Sequence, residues 1–528
     1  MNRTRRSTLV RGISTLAACA LAWAALAHAS STRAGAVTVT TLTDSGPGSL
    51  RQAIADAKPG DTITFGAKGT ITLTSGALRI DKNLEVEGPG PDKLKVSGND
   101  ASRVFVIASG TVKIAGMTIA EGRADANSPI TPCGGGGVLI GGESVKLGPA
   151  SLTLSQVVVS DNQALGDPSK SPLGFAGCGG GGGVLNCGTL VVTDSWFISN
   201  LARGSDDSRA GLVAQGGAGG GALMNQGGDV QVTASQFLCN VAQGGNGNHG
   251  PFAGVGVGGA VWNCGTLRIA SSRFSHNQAI SGNDNNGMRS GFAASGAIHT
   301  EYNGFDKPSL DLRDSWFDHN QAIGGTGNTG DGPGLAAGGA IHFDTRGVPG
   351  ATSGTISGCV LEHNEALGGV GGPGADGSCA VGGGLDAEGG SNVTVSNCMV
   401  ERNRAIGGPG GTGGTGGVAT GGGGLRSGGG STLTVINTTV AYNQAQGGEG
   451  RGAGKKGADG WGGGLIDYLA TLTLKGVIVT QNAALGGGPD GKGLGGGVYV
   501  YEGGTYSADS TTVIEKNHAI TSNDNIYP

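Results

Sequence analysis

Ionisable residues recur at equivalent positions of consecutive repeats and form the strongest candidate site in this sequence. One column of positions follows a Gly-Gly-aliphatic element, and a second lies two residues further on. The candidates are His299, Glu301, His342, Asp344, Asp386 and Glu388, with Arg426 as a flanking contact for a carboxylate or sulfate. If the repeats stack at about one strand spacing, roughly 5 Å, these groups could hold a divalent cation such as Ca²⁺ or act as general base and acid. The alternative is a solvated polar face that serves solubility.

A second group of ionisable residues falls at a turn of the same repeats. Its members are His276, His319 and His363, with Asp318, Glu362 and Glu401 beside them. Because turns lie at the surface and carry polar residues for solvation, this position favours ordinary surface over a binding site.

Eight cysteines follow the N-terminal segment, and their positions in the repeats matter more than their number. Cys359 and Cys398 occupy the same place in successive repeats, as do Cys133 and Cys178. Stacking would bring each pair within disulfide range, so Cys133–Cys178 and Cys359–Cys398 are candidate disulfides. Small inward side chains stacked as free thiols are the other interpretation.

A repeat of about forty residues must position all of these groups. It consists of Gly-Gly-Ala-aliphatic, an alternating apolar run, Ser-x-Phe-x-x-Asn-x-Ala and a glycine-rich loop. An asparagine marks its phase ten times, at separations of 35 to 44 residues: Asn162, Asn200, Asn240, Asn277, Asn320, Asn364, Asn403, Asn443, Asn482 and Asn517. We interpret these residues as a structural ladder in which each side-chain amide bonds the next and satisfies turn backbone.

The period predicts an all-β fold, a right-handed parallel β-helix in which three short strands per coil pair with their counterparts above and below. Columns of the repeat then become inward stacks, one of phenylalanines from Phe197 to Phe317 and one of serines from Ser195 to Ser315. A Ser49-Leu50-Arg51-Gln52 capping pattern predicts a short amphipathic helix over the first coil. The long glycine loops either bundle into a polyglycine-like layer or stay mobile.

The segment 1–29 has the pattern of a signal peptide: arginines, the apolar run Ile13 to Ala27, and an Ala27-His28-Ala29 cleavage site. Thr4-Arg5-Arg6 leaves twin-arginine export open beside the general route. We divide the remainder into an N-terminal cap with irregular first coils at 36–132 and the repeat helix at 133–528, continuous as one domain. No later stretch is apolar and long enough to span a membrane.

The chain has a formal net charge of −5, and the predicted signal peptide carries four arginines and no acidic residue. The mature chain is therefore more acidic still, which argues against nucleic acid as a partner. Export places it outside the cell, at the cell surface or in the periplasm.

The repeat closely resembles that of the polymorphic outer-membrane-protein type of β-helix. Its Gly-Gly-Ala-Ile element is matched at Gly338-Gly339-Ala340-Ile341, and its Phe-x-x-Asn element at Phe274-Ser275-His276-Asn277. The opening Ser49 to Ile54 is similar to the cap of many bacterial surface proteins and pectin-lyase-like β-helices. The resemblance implies surface display and, for some members, adhesion to cell-surface proteins or polysaccharide.

We therefore expect a secreted or surface protein with a structural or adhesive role and no catalysis. The alternative is a polysaccharide lyase, hydrolase or epimerase that uses the patch from His299 to Glu388. The fold is shared by both classes, so function depends on the geometry of the site.

Overall fold

The computed structural model describes residues 35–128, 133–141, 150–169, 175–209, 214–288, 290–329, 334–419, 421–488 and 490–528. Within them, all strand pairing is parallel and the chain winds as a right-handed parallel β-helix, as predicted. The predicted signal peptide lies outside the described residues. No helix in the described ranges is both long and apolar enough to cross a membrane.

Four long sheets form the walls of the coil, where three strands per coil were expected. The additional wall arises because the asparagine turn divides the last predicted segment into two strands. At each such turn the residue before the asparagine is in the left-handed region, as at His319 with φ of 53°. The chain therefore changes direction before the asparagine and pairs in a separate sheet.

Sheets I and II follow each other along every coil. Sheet I comprises Ala36–Val39, Thr62–Phe65, Leu84–Glu87, Gly110–Ala115, Ala150–Ser155, Thr189–Thr193, Asp229–Thr233, Thr266–Ala270, Ser309–Arg313, Ser353–Ser357, Asn392–Ser396, Thr432–Ile436, Thr471–Lys475 and Thr505–Ala508. Sheet II comprises Gly69–Thr72, Leu94–Ser97, Thr118–Ala120, Val158–Ser160, Trp196–Ile198, Gln236–Leu238, Arg273–Ser275, Trp316–Asp318, Val360–Glu362, Met399–Glu401, Thr439–Ala441, Ile478–Thr480 and Val513–Glu515.

Sheet III follows the asparagine turn, and sheet V closes the coil. Sheet III comprises Arg123–Ala124, Gln163–Leu165, Leu201–Arg203, Val241–Gln243, Gln278–Ile280, Gln321–Ile323, Glu365–Leu367, Arg404–Ile406, Gln444–Gln446, Ala483–Leu485 and His518–Ala519. Sheet V comprises Leu78–Ile80, Phe105–Ile107, Val138–Ile140, Val184–Asn186, Leu223–Asn225, Val261–Asn263, Ile298–Glu301, Ile341–Asp344, Leu385–Ala387, Leu425–Gly428, Leu465–Tyr468, Val498–Val500 and Ile526–Tyr527.

Two-residue strands lie between sheets III and V. Sheet IV is the set Gly179–Gly180, Ala218–Gly219, Gly256–Val257, Ala293–Ala294, Ala336–Ala337 and Ala380–Val381, and Gly460–Trp461 with Gly493–Leu494 forms a further pair. A three-stranded ladder of Phe175–Ala176, Ala214–Gln215 and Phe252–Ala253 precedes it in the chain.

The single helix of the described residues, Leu50–Asp56, lies where the capping pattern predicted it. The Ser49 side chain accepts a hydrogen bond from the Gln52 backbone N–H at 3.2 Å, which fixes the helix start. Leu50, Ala53 and Ile54 are buried in the core of the first coils. The helix therefore covers apolar surface that no preceding coil could cover.

Alternating side chains of the long sheets fill a continuous apolar interior. Phe197, Phe237, Phe274 and Phe317 are fully buried, and their rings stack in parallel at centroid distances of 4.6 to 4.8 Å. Burial of each side chain stabilises the fold by roughly 1.5–3 kcal/mol. The predicted phenylalanine column is thus the axis of packing in the middle coils.

The asparagines form one continuous ladder at the turn between sheets II and III. Each Nδ2 donates to the Oδ1 of the next asparagine at 2.9–3.0 Å, from Asn162 to Asn517. The same Oδ1 also accepts the preceding asparagine's backbone N–H, as Asn364 Oδ1 does from Asn320. Asn525 extends the ladder by accepting from Asn517 Nδ2 at 3.1 Å. Buried turn backbone is thereby satisfied in each coil of the ladder.

The glycine loops of the described residues form an ordered layer between sheets III and IV, which is the first of the two expected outcomes. Outgoing and returning segments alternate in one hydrogen-bonded chain: Gly408 N donates to Ser378 O, Gly417 N to Gly408 O, and Gly448 N to Gly417 O, each at 2.8 Å. A Cβ on Gly417 would collide with the Ser378 carbonyl oxygen. Glycine is therefore required because the backbones themselves are in contact.

The cysteines named as candidate disulfide partners, Cys133, Cys178, Cys359 and Cys398, are free thiols in the structure. Cys359 and Cys398 do lie in one stacked column, where the Cys359 N–H donates to Cys398 Sγ at 3.3 Å. Each thiol also donates to a backbone carbonyl two residues earlier in its own strand connection. Cysteine here continues the column of serine hydroxyls that accept backbone N–H groups in earlier coils.

Candidate functional site

Strand register brings the predicted patch residues onto three consecutive strands of sheet V and the strand that follows. His299 pairs with His342, His342 with Asp386, and Asp386 with Arg426. In the neighbouring column Glu301 pairs with Asp344. The backbone N–H of Glu388 donates to Phe343 O, which holds Glu388 beside the strand of Asp344. All seven candidates therefore lie together, as their spacing predicted.

The patch is covered, contrary to the expectation of an outward and solvated face. His342 and Asp386 are 0% exposed and Arg426 is 6% exposed. The cover is sheet IV: its Val257, Ala294, Ala337 and Val381 cluster with Phe292 over this side of sheet V. The Phe292 ring meets His342 edge-on with centroids 6.0 Å apart. Small and apolar residues also precede the Gly-Gly elements in the sequence. This pattern could have predicted that a further strand covers the patch.

Two stacked histidines form the centre of the patch. The rings of His299 and His342 lie 5.0 Å apart and nearly parallel, and their Nδ1 atoms are 3.1 Å apart. One of the two Nδ1 atoms must donate a hydrogen and the other must accept it. Burial, partly offset by Glu301, lowers the pKa of His299. His299 is therefore neutral at neutral pH.

Glu301 is held as a buried carboxylate at one end of the patch. Its Oε1 accepts from Arg346 Nε at 2.6 Å, and its Oε2 accepts from the Trp262 indole N–H at 3.1 Å. Burial alone would raise the pKa of Glu301, but Arg346 and His299 outweigh burial and lower the pKa to about 2. Its oxygens are committed to these donors, which leaves it poorly placed as a general acid.

Asp386 and Arg426 form a buried ion pair at the other end. Arg426 Nη1 donates to Asp386 Oδ1 at 2.7 Å and lies 3.8 Å from Glu388 Oε2. Asp386 Oδ2 lies 3.2 Å from His342 Nε2, and Glu388 Oε2 lies 3.7 Å from the same nitrogen. Burial lowers the pKa of His342, but Asp386 and Glu388 outweigh it and raise the pKa to about 10. This end of the patch therefore attracts positive charge.

Asp344 takes a different role from its neighbours. Its Oδ1 accepts the backbone N–H of Arg346 at 2.6 Å, which caps the turn after its strand. By fixing this turn, Asp344 helps to place Arg346 against Glu301.

Aromatic side chains continue the two columns beyond Arg426. The Arg426 guanidinium lies 5.7 Å from the centre of the Tyr468 ring. Trp461 stacks on Tyr499 at 5.2 Å, and Tyr499 stacks on Tyr527 at 5.1 Å. The chain end thus adds one more strand to sheet V, and these rings pack mainly on one another.

The histidines of the turn column form a second stack, in which His276 and His319 are exposed and His363 is partly buried. The rings of His276, His319 and His363 follow one another at 4.9 and 5.0 Å. Asp318 beside them is buried and accepts from Arg273 Nε at 2.9 Å. That this group is ordinary surface stays a prediction from its turn position.

Two groups in the described residues have ligand atoms close enough to share a metal ion, all within 4.8 Å of one another. They are His342 with Asp386 and Glu388, and His276 with Asp318 and His319. The first is buried except at Glu388, and it mixes imidazole with two carboxylates, which differs from the all-oxygen shell that Ca²⁺ prefers.

Solved structures with a similar fold are parallel β-helices of the pectin-lyase-like type. A GH87 α-1,3-glucanase catalytic unit from Streptomyces thermodiastaticus has 12% identity and a TM-score of 0.38, covering 94% of this chain and 70% of that one. A mannuronic acid specific family 6 lyase from human gut microbiota has 9% identity and a TM-score of 0.33, covering 84% and 87%. The periplasmic alginate epimerase AlgG has 11% identity and a TM-score of 0.30, covering 90% and 84%.

At these identities and TM-scores the likeness concerns the fold alone. No family model matches the chain, so the resemblance to the polymorphic outer-membrane-protein repeat stays a prediction from its motifs. No curated protein matches it either.

Proposed function

We propose that this chain is an exported, non-catalytic β-helix protein with a structural or adhesive role at the cell exterior. The observation that carries the proposal is the burial of the strongest candidate active site among the described residues. His342 and Asp386 are 0% exposed beneath sheet IV, and Glu301 and Asp386 are each paired with an arginine. A polymeric substrate would have to displace a packed sheet to reach them.

General acid–base chemistry requires a side chain within hydrogen-bond reach of the substrate. The groups of the patch reach one another at such distances, whereas sheet IV covers the two histidines and Asp386. Shallow concavities of the described residues occur elsewhere, around Arg268 and Asp311 on sheet I and beside Arg51 and Lys82 near the helix. Neither has a histidine or a pair of carboxylates in its lining.

The remaining architecture suits a rigid rod. The asparagine ladder, the stacked phenylalanines and the ordered glycine layer link every coil to the next over the whole length of the repeat region. Such a rod presents regular outer faces to a partner, which we propose to be cell-surface protein or polysaccharide. Export rests on the signal pattern of residues 1–29.

A polysaccharide-active enzyme is the second candidate, and one residue favours it. The Glu388 side chain is 24% exposed at the rim of the patch, in the column that continues to Tyr468 and Tyr501. A carboxylate beside aromatic rings is a common setting for sugar contact.

A glycan-array and depolymerisation screen separates the two candidates. We would compare the purified chain, with and without Ca²⁺, with the variant His342→Ala/Asp344→Ala/Glu388→Ala and with Asp229→Ala/Arg268→Ala, which removes an exposed ion pair on sheet I. We expect no depolymerisation by any of the three proteins. Cleavage that the first variant loses and the second keeps would overturn the proposal and identify the patch as an active site.

A further inference from the structure

We propose that His342 Nε2, Asp386 Oδ2 and Glu388 Oε2 form a binding site for one first-row transition-metal dication, with Zn²⁺ as the best match. The site joins the strand Ile341–Asp344 to the strand Leu385–Ala387 and the residue that follows it. It is independent of the proposed function, since a metal here would stabilise the rod whether or not the protein binds a glycan.

The distances between the three atoms fit a metal shell. Bonds of about 2.0–2.1 Å in a tetrahedral site place neighbouring ligand atoms roughly 3.3 Å apart. Asp386 Oδ2 is 3.2 Å and Glu388 Oε2 is 3.7 Å from His342 Nε2. All three atoms lie within 4.8 Å of one another, so a small adjustment of Glu388 completes the shell.

Two of these atoms lack a hydrogen-bond partner although they are fully buried. His342 Nε2 and Asp386 Oδ2 face each other, but neither makes a hydrogen bond of acceptable geometry. A buried polar atom left in this state costs about 1–3 kcal/mol. A cation between them would supply the missing partner to both atoms.

The surrounding groups orient the ligands as an outer shell does in metal sites. A metal would displace the proton of His342 Nε2. If His342 Nδ1 then donates to His299 Nδ1 at 3.1 Å, Nε2 carries the lone pair that faces the carboxylates. His299 Nε2 then bears the hydrogen and lies 3.7 Å from Glu301 Oε2. Imidazole ligands commonly donate their second N–H in this way.

Arg426 completes this outer shell on the opposite side. It donates to Asp386 Oδ1, which leaves Oδ2 directed at His342. Asp386 is therefore oriented as a monodentate ligand. Once the proton of His342 Nε2 is displaced, the two carboxylates and one arginine leave the centre with one net negative charge, which favours a dication.

The ligand set favours Zn²⁺ over Ca²⁺ and Mg²⁺. An imidazole with two carboxylates suits first-row transition metals, whereas Ca²⁺ takes six to eight oxygens and Mg²⁺ demands an octahedron of oxygens. Three protein ligands leave one position of a tetrahedron for water. Glu388, at the partly exposed rim, lies on the side from which water and metal enter.

The test is isothermal titration of the chelator-stripped full chain with Zn²⁺, compared with Ca²⁺. We expect a single Zn²⁺ per chain and no saturable binding of Ca²⁺. Asp386→Asn and His342→Gln should each weaken Zn²⁺ binding at least about 100-fold, while His299→Gln should weaken it about 10- to 100-fold as the loss of an outer-shell partner. The matched control His319→Gln, in the second histidine stack, should leave the affinity unchanged.

X-ray absorption at the zinc edge keeps the proposal testable if a variant fails to fold. The wild-type spectrum should fit one imidazole and oxygen ligands at about 2.0–2.1 Å. A wild-type chain with no saturable Zn²⁺ binding would overturn the proposal. Binding that His319→Gln abolishes, or a spectrum with two imidazoles, would also overturn it and assign the metal to His276, Asp318 and His319.

Discussion

Asn320 Nδ2 lies 2.9 Å from Asn364 Oδ1, and this contact repeats with almost the same length at every coil of the asparagine ladder. Asn320 also donates to the carbonyl oxygen of Phe274 and receives the Asn277 backbone N–H. One side chain therefore binds backbone groups of the preceding coil and the asparagine side chain of the following coil. These partners explain why asparagine occupies this position in each of the ten repeats.

Replacing Asn320 with alanine should lower the free energy of unfolding by about 2–4 kcal/mol, because buried backbone donors and acceptors are left unpaired. Urea denaturation followed by circular dichroism measures the loss. Asn392→Ala, at an exposed position of sheet I, is the control and should change stability by less than about 0.5 kcal/mol. Equal effects of the two substitutions would show that the ladder adds no stability.

Gly354 and Phe343 share space in the core, so we expect that a larger residue at one position compensates for a smaller residue at the other. Gly354 occupies the register position of Leu310 and Val393 in the adjacent strands of sheet I, but a Cβ there would collide with the Phe343 ring. Gly354→Val should therefore destabilise the chain by overpacking, by about 1–3 kcal/mol. Phe343→Ala should cost about 3–5 kcal/mol because it leaves a cavity.

The double variant Gly354→Val/Phe343→Ala should be clearly more stable than the sum of the single effects, because the valine fills part of the cavity. Thermal unfolding of the four proteins in the cycle measures the coupling. Strict additivity would mean that the two side chains do not share the same space.

Cys239 provides a test of thiol accessibility. It is the exposed cysteine of the described residues, whereas Cys187, Cys264, Cys359 and Cys398 are buried. Burial raises the pKa of the Cys264 thiol well above its usual value, which suppresses the reactive thiolate. In the native chain from residue 30 onward, we expect one rapidly modified thiol with a chromogenic disulfide reagent, and denaturation should release the others.

The substitution Cys239→Ser should remove the fast phase and leave the slow one. If Cys133–Cys178 or Cys359–Cys398 were oxidised in the exported protein, two thiols would be missing from the denatured count for each bond. The same titration after reduction distinguishes that outcome from slow unfolding.

The sequence predicted those features that depend on the repeat period and missed those that depend on how the glycine loops pack. Asn162 to Asn517 could be assigned because each lies one coil after the last, whereas Asn525 joins the ladder only eight residues after Asn517. Asp386 was correctly placed beside His342 and Arg426, since register follows from period. Its burial was missed because the cover comes from Val381 and its equivalents, which belong to a strand of only two residues.

The burial of Asp467 predicts that the free energy of unfolding falls as the pH rises. Its side chain is fully buried, Oδ1 accepts the Ala470 backbone N–H at 3.0 Å, and burial raises its pKa to about 6. In the unfolded chain an aspartate has a pKa of about 3.9. The native state therefore holds a proton between about pH 4 and 6 that the unfolded state has released, so this contribution to stability is present below pH 4 and is lost as the pH rises through 6.

Asp467→Asn should remove this dependence, because an amide keeps the acceptor and stays neutral. In other coils, asparagine already occupies the same position of sheet V: Asn186, Asn225 and Asn263. Relative to the wild type, the variant should gain about 1–3 kcal/mol between pH 4 and 7. Urea midpoints at intervals of one pH unit measure the difference, with Asp306→Asn in an exposed loop as the control. A difference that stays constant over this range would mean that Asp467 is already charged at pH 4, and that its burial does not shift its titration.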